Sequence, residues 1–373
     1  MTILRIHTVQ AFPASNLNRD DTGSPKSQVF GGTRRLRVSS QCKKSSVRKH
    51  FADKGTDRLV SIRTLSSPQL VLNRVLEINP GVDAAKAREL IASAMGVKPN
   101  EKDTEAFKTS ALFSVSELQI DAAAKIVSDA VNDGSALDKK AYKKEFLAAL
   151  SDLSSVDQVL FGRFYASDST LTIDAACQVA HALGTCAMPE GSDYFTGRDE
   201  IGSITNKDDA DENAGAGAGH VGIKEFSSGP LYFYTTVDVD GLVAGLGGDT
   251  ALAVNALAEY VDSFVRSIPS GSQNAYAADT PPTTVLVEIA DNGAGVSYAG
   301  AFESHSNTSD IASSRMVSHA SRLHAGYGTS PDASFLFSIS DDVDTPAWST
   351  RVDSLGDIVN GVRESVAERL GVK

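Results

Sequence analysis

SNLNRDDTGSPKSQVFGGTRRLRVSSQCKKSSVRKHF, residues 15 to 51, passes from a polar, glycine-bearing loop to a basic strand and then to a basic helix. In TRRLRVSSQ, Leu36 and Val38 fall on one strand face and Arg35 and Arg37 on the other. Ser39 or Ser40 is placed to cap a helix across QCKKSSVRKHF, because a serine hydroxyl there accepts an otherwise unpaired helical N–H. If that helix begins near Gln41, then Gln41, Lys44 and Arg48 lie within an arc of about 60°. Arg, Lys, Ser and Gln together supply donors of short and long reach, which suits sugar–phosphate contacts.

On the amino-terminal side, ILRIHTVQAF (3 to 12) alternates apolar with polar residues and reads as a half-buried strand. On the other side, from about 65 to 190, the pattern turns helical. Ile120, Ala123, Val127 and Ala130 or Val131 recur at helical spacing, as do Tyr142, Phe146 and Leu150. Lys139, Lys140, Lys143 and Lys144 read as a solvated helix face. Residues 196 to 230 are poor in bulky apolar side chains and rich in Asp, Asn, Gly and Ala, which predicts an extended insertion. An α/β rhythm then returns. Strands are expected at LYFYTTVDV, TTVLVEIAD and SFLFSIS, with helices near 250–266, 310–323 and 354–370. The fold class that follows is α+β, split by a helical insertion.

The 373 residues carry a net charge of −12, which by itself argues against a polyanionic partner. The distribution reverses that inference. Residues 1 to 63 hold 13 Lys+Arg against 4 Asp+Glu, a net of +9, and the remainder is strongly acidic. Screening confines charge effects to about 10 Å, so a nucleic acid would feel the basic first sixth of the chain. Three scattered cysteines (Cys42, Cys177, Cys186) fit neither a disulfide framework nor a zinc cage. No run approaches a membrane span, so a cytoplasmic location without a membrane partner is expected.

Several motifs fail their context tests. GAGHVG (217 to 222) has the spacing of a dinucleotide fingerprint, but an acidic, unstrandlike segment precedes it and Gly229-Pro230 bars a continuous helix after it. DNGAG (291 to 295) follows a strand, as some ATP-binding loops do, yet NALAE carries its acid and Asn in reversed order. His319 and His324 are five apart and miss the one-turn spacing of paired metal ligands. Neither a cofactor nor a metal is expected. Tyr232 and Tyr234 share one strand face, as a base-stacking platform would, but no aromatic RNP1 pattern surrounds them, so core packing is expected. Asp20 and Asp21 are the alternative for chemistry: a carboxylate pair that could hold a metal for phosphoryl transfer. In a loop beside Arg19 they are expected to cap turns or pair with arginine instead.

SNLNRDDTGSPKSQVFGGTRRLRVSSQ closely resembles the amino-terminal signature of the CasC-type backbone subunit of type I-E CRISPR Cascade complexes. HVGIKEFSSGPLYFY resembles the family's second signature. VDQVLFGRFYAS and QNAYAADTPPTTVLV are similar to two further segments, in the same order along the chain.

The resemblance implies an RRM-like (ferredoxin-like) palm built from residues 1–62 and 230–373. It also implies helical fingers with a return to the palm over 63–192, and a thumb hairpin over 193–229 that includes His220, Val221 and Gly222. The implied protein is a non-catalytic scaffold of an antiviral ribonucleoprotein; the alternative the resemblance implies is a metal-dependent RNA-cleaving backbone subunit using Asp20 or Asp21. It polymerises head to tail along CRISPR RNA, making a helical filament, beside other Cascade subunits, and presents the guide for pairing with target DNA. Arg19, Lys26, Arg35, Arg37, Ser39, Gln41, Lys43, Lys44 and Arg48 become RNA contacts, with Phe164 an apolar wedge beside a displaced nucleotide. Ser45 stands where relatives often carry Arg, and Lys43 replaces an apolar residue. The phosphate-contacting face is therefore expected to be shared between Lys43 and Lys44.

Overall fold

A computed structural model describes residues 1–54, 58, 60–97, 107–133, 139–152, 154–165, 168–198, 218–291 and 293–372. The chain opens with β1 (Thr2–Ser15), followed by a loop closed by a bridge between Arg19 and Pro25. β2 (Ser27–Phe30) and β3 (Thr33–Val38) form an antiparallel hairpin. Its turn uses Gly31 and Gly32, both at positive φ. A side chain at Gly31 would also collide with the Glu303 carbonyl, so glycine is required there on two counts. Ser39 then caps α1 (Ser40–Asp53), its Oγ accepting the Cys42 N–H. Of the two candidate serines, Ser39 does the capping; the β2 strand lies where a loop is expected.

The chain next builds a helical body: β4 (Ile62–Thr64), α2 (Ser67–Ile78), α3 (Ala84–Met95), β5 (Phe113–Val115), α4 (Glu117–Asn132), α5 (Lys139–Ser151) and α6 (Val156–Phe161). The periodic residues Ile120, Ala123, Val127, Tyr142, Phe146 and Leu150 all point into one core shared with Val75, Ile91 and Phe113. Buried Arg163 closes that core. It donates to the carbonyls of Leu150 (2.8 Å), Leu171 (2.7 Å) and Ser114 (3.1 Å) and lies over the Phe113 ring. A helical reading over the whole of 65–190 is corrected at its end. β6 (Cys177–Val179) and β7 (Ala182–Gly184) are short strands that pair with the main sheet, because three residues are enough when a long partner strand supplies the ladder.

β8 (Gly191–Arg198) pairs antiparallel with the start of β9 (Ala218–Asp238), Tyr194 lying opposite Ile223. β9 then runs on into the main sheet beside β1. The remaining elements are α7 (Val239–Gly245), α8 (Thr250–Arg266), α9 (Gln273–Tyr276), β10 (Thr284–Asp291), α10 (Ser309–Tyr327), β11 (Ala333–Ser338), β12 (Thr350–Arg351) and α11 (Leu355–Leu370). The result is an α+β fold around a sheet of order β12-β11-β10-β1-β9-β7-β3-β2, antiparallel except for β11 with β12. No helix among the described residues is long and apolar enough to cross a membrane.

Both sheet faces are covered, and the two-residue strand period sorts side chains between them. Leu4, Ile6, Phe233, Val287 and Ile289 pack under α1, α8 and α11. Val9, Tyr232, Tyr234 and Leu286 pack under Tyr298, Phe302 and α10. The half-buried reading of β1 is therefore corrected: its polar residues Arg5, His7, Thr8 and Gln10 are buried too. Arg5, His7 and Gln10 find partners among their neighbours, while Arg5 Nη2 and His7 Nε2 are buried without a hydrogen-bond partner. Arg5 pairs with Glu288 at 3.0 Å directly across the strands. Glu288 also accepts from Tyr298 and His324, and His7 meets the Tyr232 hydroxyl at 2.8 Å. Burial pushes Glu288 up, but the His324 contact, His7 and Tyr298 outweigh it and hold the carboxyl at about 2.

Candidate nucleic-acid interface

α1 displays its exposed edge between two open clefts. The first, of about 830 Å³, is bounded by the loop from Leu17 to Gly23, by Lys26, and by Ser270 and Gly271. The loop is held in place locally. Asn18 Oδ1 accepts the Ser39 N–H at 2.9 Å, which ties the loop to the start of α1. Asp20 Oδ1 accepts from the Thr22 hydroxyl (2.7 Å) and from the N–H groups of Thr22 and Ser24 (3.0 Å each). These donors, the Thr22 hydroxyl first, hold the Asp20 carboxyl below its ordinary value. Asp20 is thus a turn cap, as its loop setting suggests. Arg19 is exposed at the rim, beside Asp21.

The second cleft, of about 1160 Å³, lies on the other side of α1 and is more apolar. Lys44, Arg48 and Arg63 face Phe161, Phe164 and Ile173 across it. Lys44 sets its ammonium 5.7 Å from the Phe161 ring centre. Arg48 pairs with buried Asp157 at 2.8 Å and donates to the Ser61 carbonyl. Burial pushes the Asp157 carboxyl up, against the attraction of Arg48. Phe164 is 81% exposed, an unusual fate for a phenylalanine on a well-packed chain. Its presentation has a cause. Gly162 turns the chain at φ +77, Arg163 is anchored inward by its three carbonyls, and the next side chain is thereby directed out into the cleft.

The expected contacts divide into two groups. Gln41, Lys44, Arg48 and Phe164 share the second cleft, and Arg19, Lys26, Ser39 and Gln41 share the first. Arg37 lies half-buried on the sheet, donating to the Ser27 carbonyl and meeting His181 Nδ1 at 3.0 Å. Arg35 and Lys43 are corrected: both point inward. Arg35 is buried and donates to the carbonyls of Phe30, Thr185 (2.7 Å), Phe302 and Glu303, so it bolts the β2–β3 hairpin to the rest of the sheet. Lys43 Nζ donates to the Ser267 carbonyl at 2.6 Å and lies 4.9 Å from the centres of the Phe233 and Phe264 rings. Burial lowers its pKa to about 7. Neither cation can reach a surface phosphate without opening the core, so the phosphate-contacting face is not shared by Lys43 and Lys44.

His220 and Val221 sit in β9 opposite Gly197 and Thr196. Gly222 lies opposite Phe195, whose ring occupies the space a side chain would need. From Ala218 onward the GAGHVG segment is strand, with no helix after it; residues 213–217 lie outside the described residues. Tyr232 and Tyr234 are core residues stacked near His7. His324 is buried against Glu288, and among the described residues no group of three or more His, Cys, Asp or Glu is arranged to hold a metal. Two basic residues of the clefts, Lys49 and Arg63, escape the sequence reading. For Lys49 a signal exists: it lies four residues from Ser45 and eight from Gln41, on one helix face.

Comparison with known proteins adds an independent line. Residues 4–361 match the family described as CT1975-like protein. A chain of the "CRISPR RNA-guided surveillance complex, pre-nicking" superposes with a TM-score of 0.81 at 31% identity, covering 98% of this chain and 100% of that one. A chain of another "CRISPR RNA-guided surveillance complex" gives a TM-score of 0.61 at 25% identity, covering 97% and 99%. No curated protein matches.

Proposed function

The chain belongs to the CT1975-like protein family, and on that premise we propose that it is an RNA-binding backbone subunit of a Cascade-type CRISPR surveillance complex. The observation that carries this reading is the pairing of two clefts around basic helix α1 with a near-complete match, at 31% identity, to a subunit of such a complex. In this reading the protein is of the type I-E CasC kind. The main sheet serves as palm, the helical body after β4 as fingers, and the β8–β9 hairpin as thumb. Copies assemble head to tail along CRISPR RNA with other Cascade subunits, and the guide pairs with target DNA.

Phosphate contacts fix register without reading sequence, while base pairing supplies specificity. Lys26, Lys44 and the ridge of α1 suit the first task. Exposed Phe164 suits separation of neighbouring bases, since an aromatic face stacks on any base. No catalysis is assigned to the subunit: Asp20 is committed to its own turn. The test is what co-purifies from cells that carry a CRISPR array. A discrete RNA of uniform length with partner subunits is expected. A monomeric protein free of nucleic acid beside abundant guide would overturn the reading.

A further inference from the structure

β9 serves two ladders. From Gly229 onward it lies beside β1, up to Phe226 it lies beside β8, and the register with β1 shifts between Phe12 and Ser15. Backbone pairing across that irregular junction does not fix the angle of the β8–β9 hairpin to the sheet; side chains brace it. Asn16 is buried, and its Nδ2 donates to the Glu225 carbonyl in β9 (3.0 Å) and to the Gly23 carbonyl of the first-cleft loop (2.9 Å). Carbonyls only accept, so the amide must turn its NH2 to both, although this leaves Oδ1 buried without a partner. The Tyr276 ring lies 6.1 Å from the Phe226 ring, which in turn fills the space over Gly191 at the start of β8.

Tyr276 is carried by a strained turn. α9 is bracketed by Ser272 at φ +54 and Ala277 at φ +46, the two non-glycine residues at positive φ among the described residues. Such backbone persists only where surrounding contacts over-determine it. Gln273 supplies two of them, donating to the Pro269 carbonyl (3.1 Å) and accepting the Ala278 N–H (2.8 Å). Gly271 lies so close to the carbonyls of Asn16 and Leu17 that a side chain there would collide with them. The strained turn, the first-cleft loop and the base of the hairpin thus pack as one unit.

We propose that Asn16 and Tyr276 are positioning residues that clamp the β8–β9 hairpin at one angle to the sheet and tie that angle to the loop walling the first cleft. Neither residue lines the cleft, so both act through the loop and the hairpin. Because one amide holds the two together, whatever fixes the loop also fixes the hairpin, and the converse holds by linkage. In the scaffold reading above, each copy would offer its hairpin to the next at a preset angle. That use rests on the reading; the clamp itself does not.

The test uses the full chain without RNA. Pulsed dipolar EPR reads the distance between nitroxides carried by keto amino acids at Tyr194 and Glu364, both exposed, with urea midpoints as folding controls. The otherwise unaltered chain is expected to give one narrow distance distribution. Asn16→Ala and Tyr276→Ala are each expected to widen it about twofold and to speed amide exchange of residues 17–23 about tenfold, the scale of one lost buried contact. Tyr276→Phe keeps the ring and is expected to change neither. If both alanine variants keep the narrow distribution while their urea midpoints fall, the residues act on stability alone and the clamp is overturned. A broad distribution in the unaltered chain overturns it too, as does a widened one with loop exchange unchanged, which would separate hairpin from loop. Tyr276 is half-buried, so its alanine variant carries the test if Asn16→Ala fails to fold. Failure here leaves the RNA-binding reading to its own co-purification test.

Discussion

Replacing Lys43 by methionine should stabilise the protein, and the gain should fade as pH rises. Lys43 is buried between Phe233 and Phe264, and its pKa falls from 10.5 to about 7. A depressed lysine pKa means that the unfolded chain binds the proton more tightly than the folded one. The penalty is full below about pH 7, shrinks as pH climbs, and vanishes above about 10.5. With each pKa unit equivalent to about 1.4 kcal/mol, the full penalty is on the order of 5 kcal/mol. Methionine removes that penalty and keeps soft contacts with both rings. It also strips the Ser267 carbonyl of its donor, at about 1–3 kcal/mol. The net expectation near pH 6 is a variant about 2–4 kcal/mol more stable, and near pH 9 one that is about equal to the parent. Urea denaturation of both proteins at the two pH values measures the difference, and other titrating groups cancel in the comparison. A methionine variant that is less stable near pH 6, or a gap that does not change with pH, would refute the reasoning.

Other expectations test the helical body, the cleft, the loop and the buried polar network. Arg163→Ala removes the donor from the buried Leu150 and Leu171 carbonyls and leaves that of Ser114 with Gln158 alone, and should destabilise the fold by about 2–6 kcal/mol, read as a lower urea midpoint. Phe164→Ala should change stability by less than about 0.5 kcal/mol because the ring is exposed, while RNA retention by the assembled complex falls; equal retention would remove the ring from the interface. With Mg²⁺ and guide, no target-RNA cleavage is expected from the assembled complex, and cleavage that Asp20→Ala abolishes would replace the scaffold reading with a catalytic one. His7 faces Arg5, Glu288 and His324, and burial lowers its pKa from 6.5 to about 4. Because the unfolded histidine takes up the proton first, stability should fall between about pH 6.5 and 4 by on the order of 3 kcal/mol. His7→Phe keeps the stacking on Tyr298 and should abolish that part of the fall.

Much of this architecture is legible in the chain. The helical periodicities at Ile120 to Val127 and Tyr142 to Leu150 depend on local spacing, and the core of the helical body uses those residues. The capping of α1 by Ser39 depends on a neighbouring N–H. The arc of Gln41, Lys44 and Arg48 follows from helix geometry, and the three line the same cleft. Short strands such as β6 and β7 are illegible for the opposite reason: their hydrogen-bonding partners lie far away in the chain, in β9 and, for β7, also in β3. Polar alternation in β1 misleads in the same way, because α10, over 300 residues later, covers the face that carries Arg5 and His7.

By itself, then, the sequence determined that the first sixth of the chain is basic, where several of its helices run, and which residues share a helix face. Those are consequences of composition and of distances of a few residues. Only the tertiary structure decided which cations face outward. Lys43 and Lys44 are adjacent in sequence and point about 100° apart around α1. Because α8 and β9 pack against one side of that helix, Lys43 is sealed between two phenylalanines while Lys44 remains at the cleft. Lys49 gains its place for the same reason, on the edge that no neighbour covers.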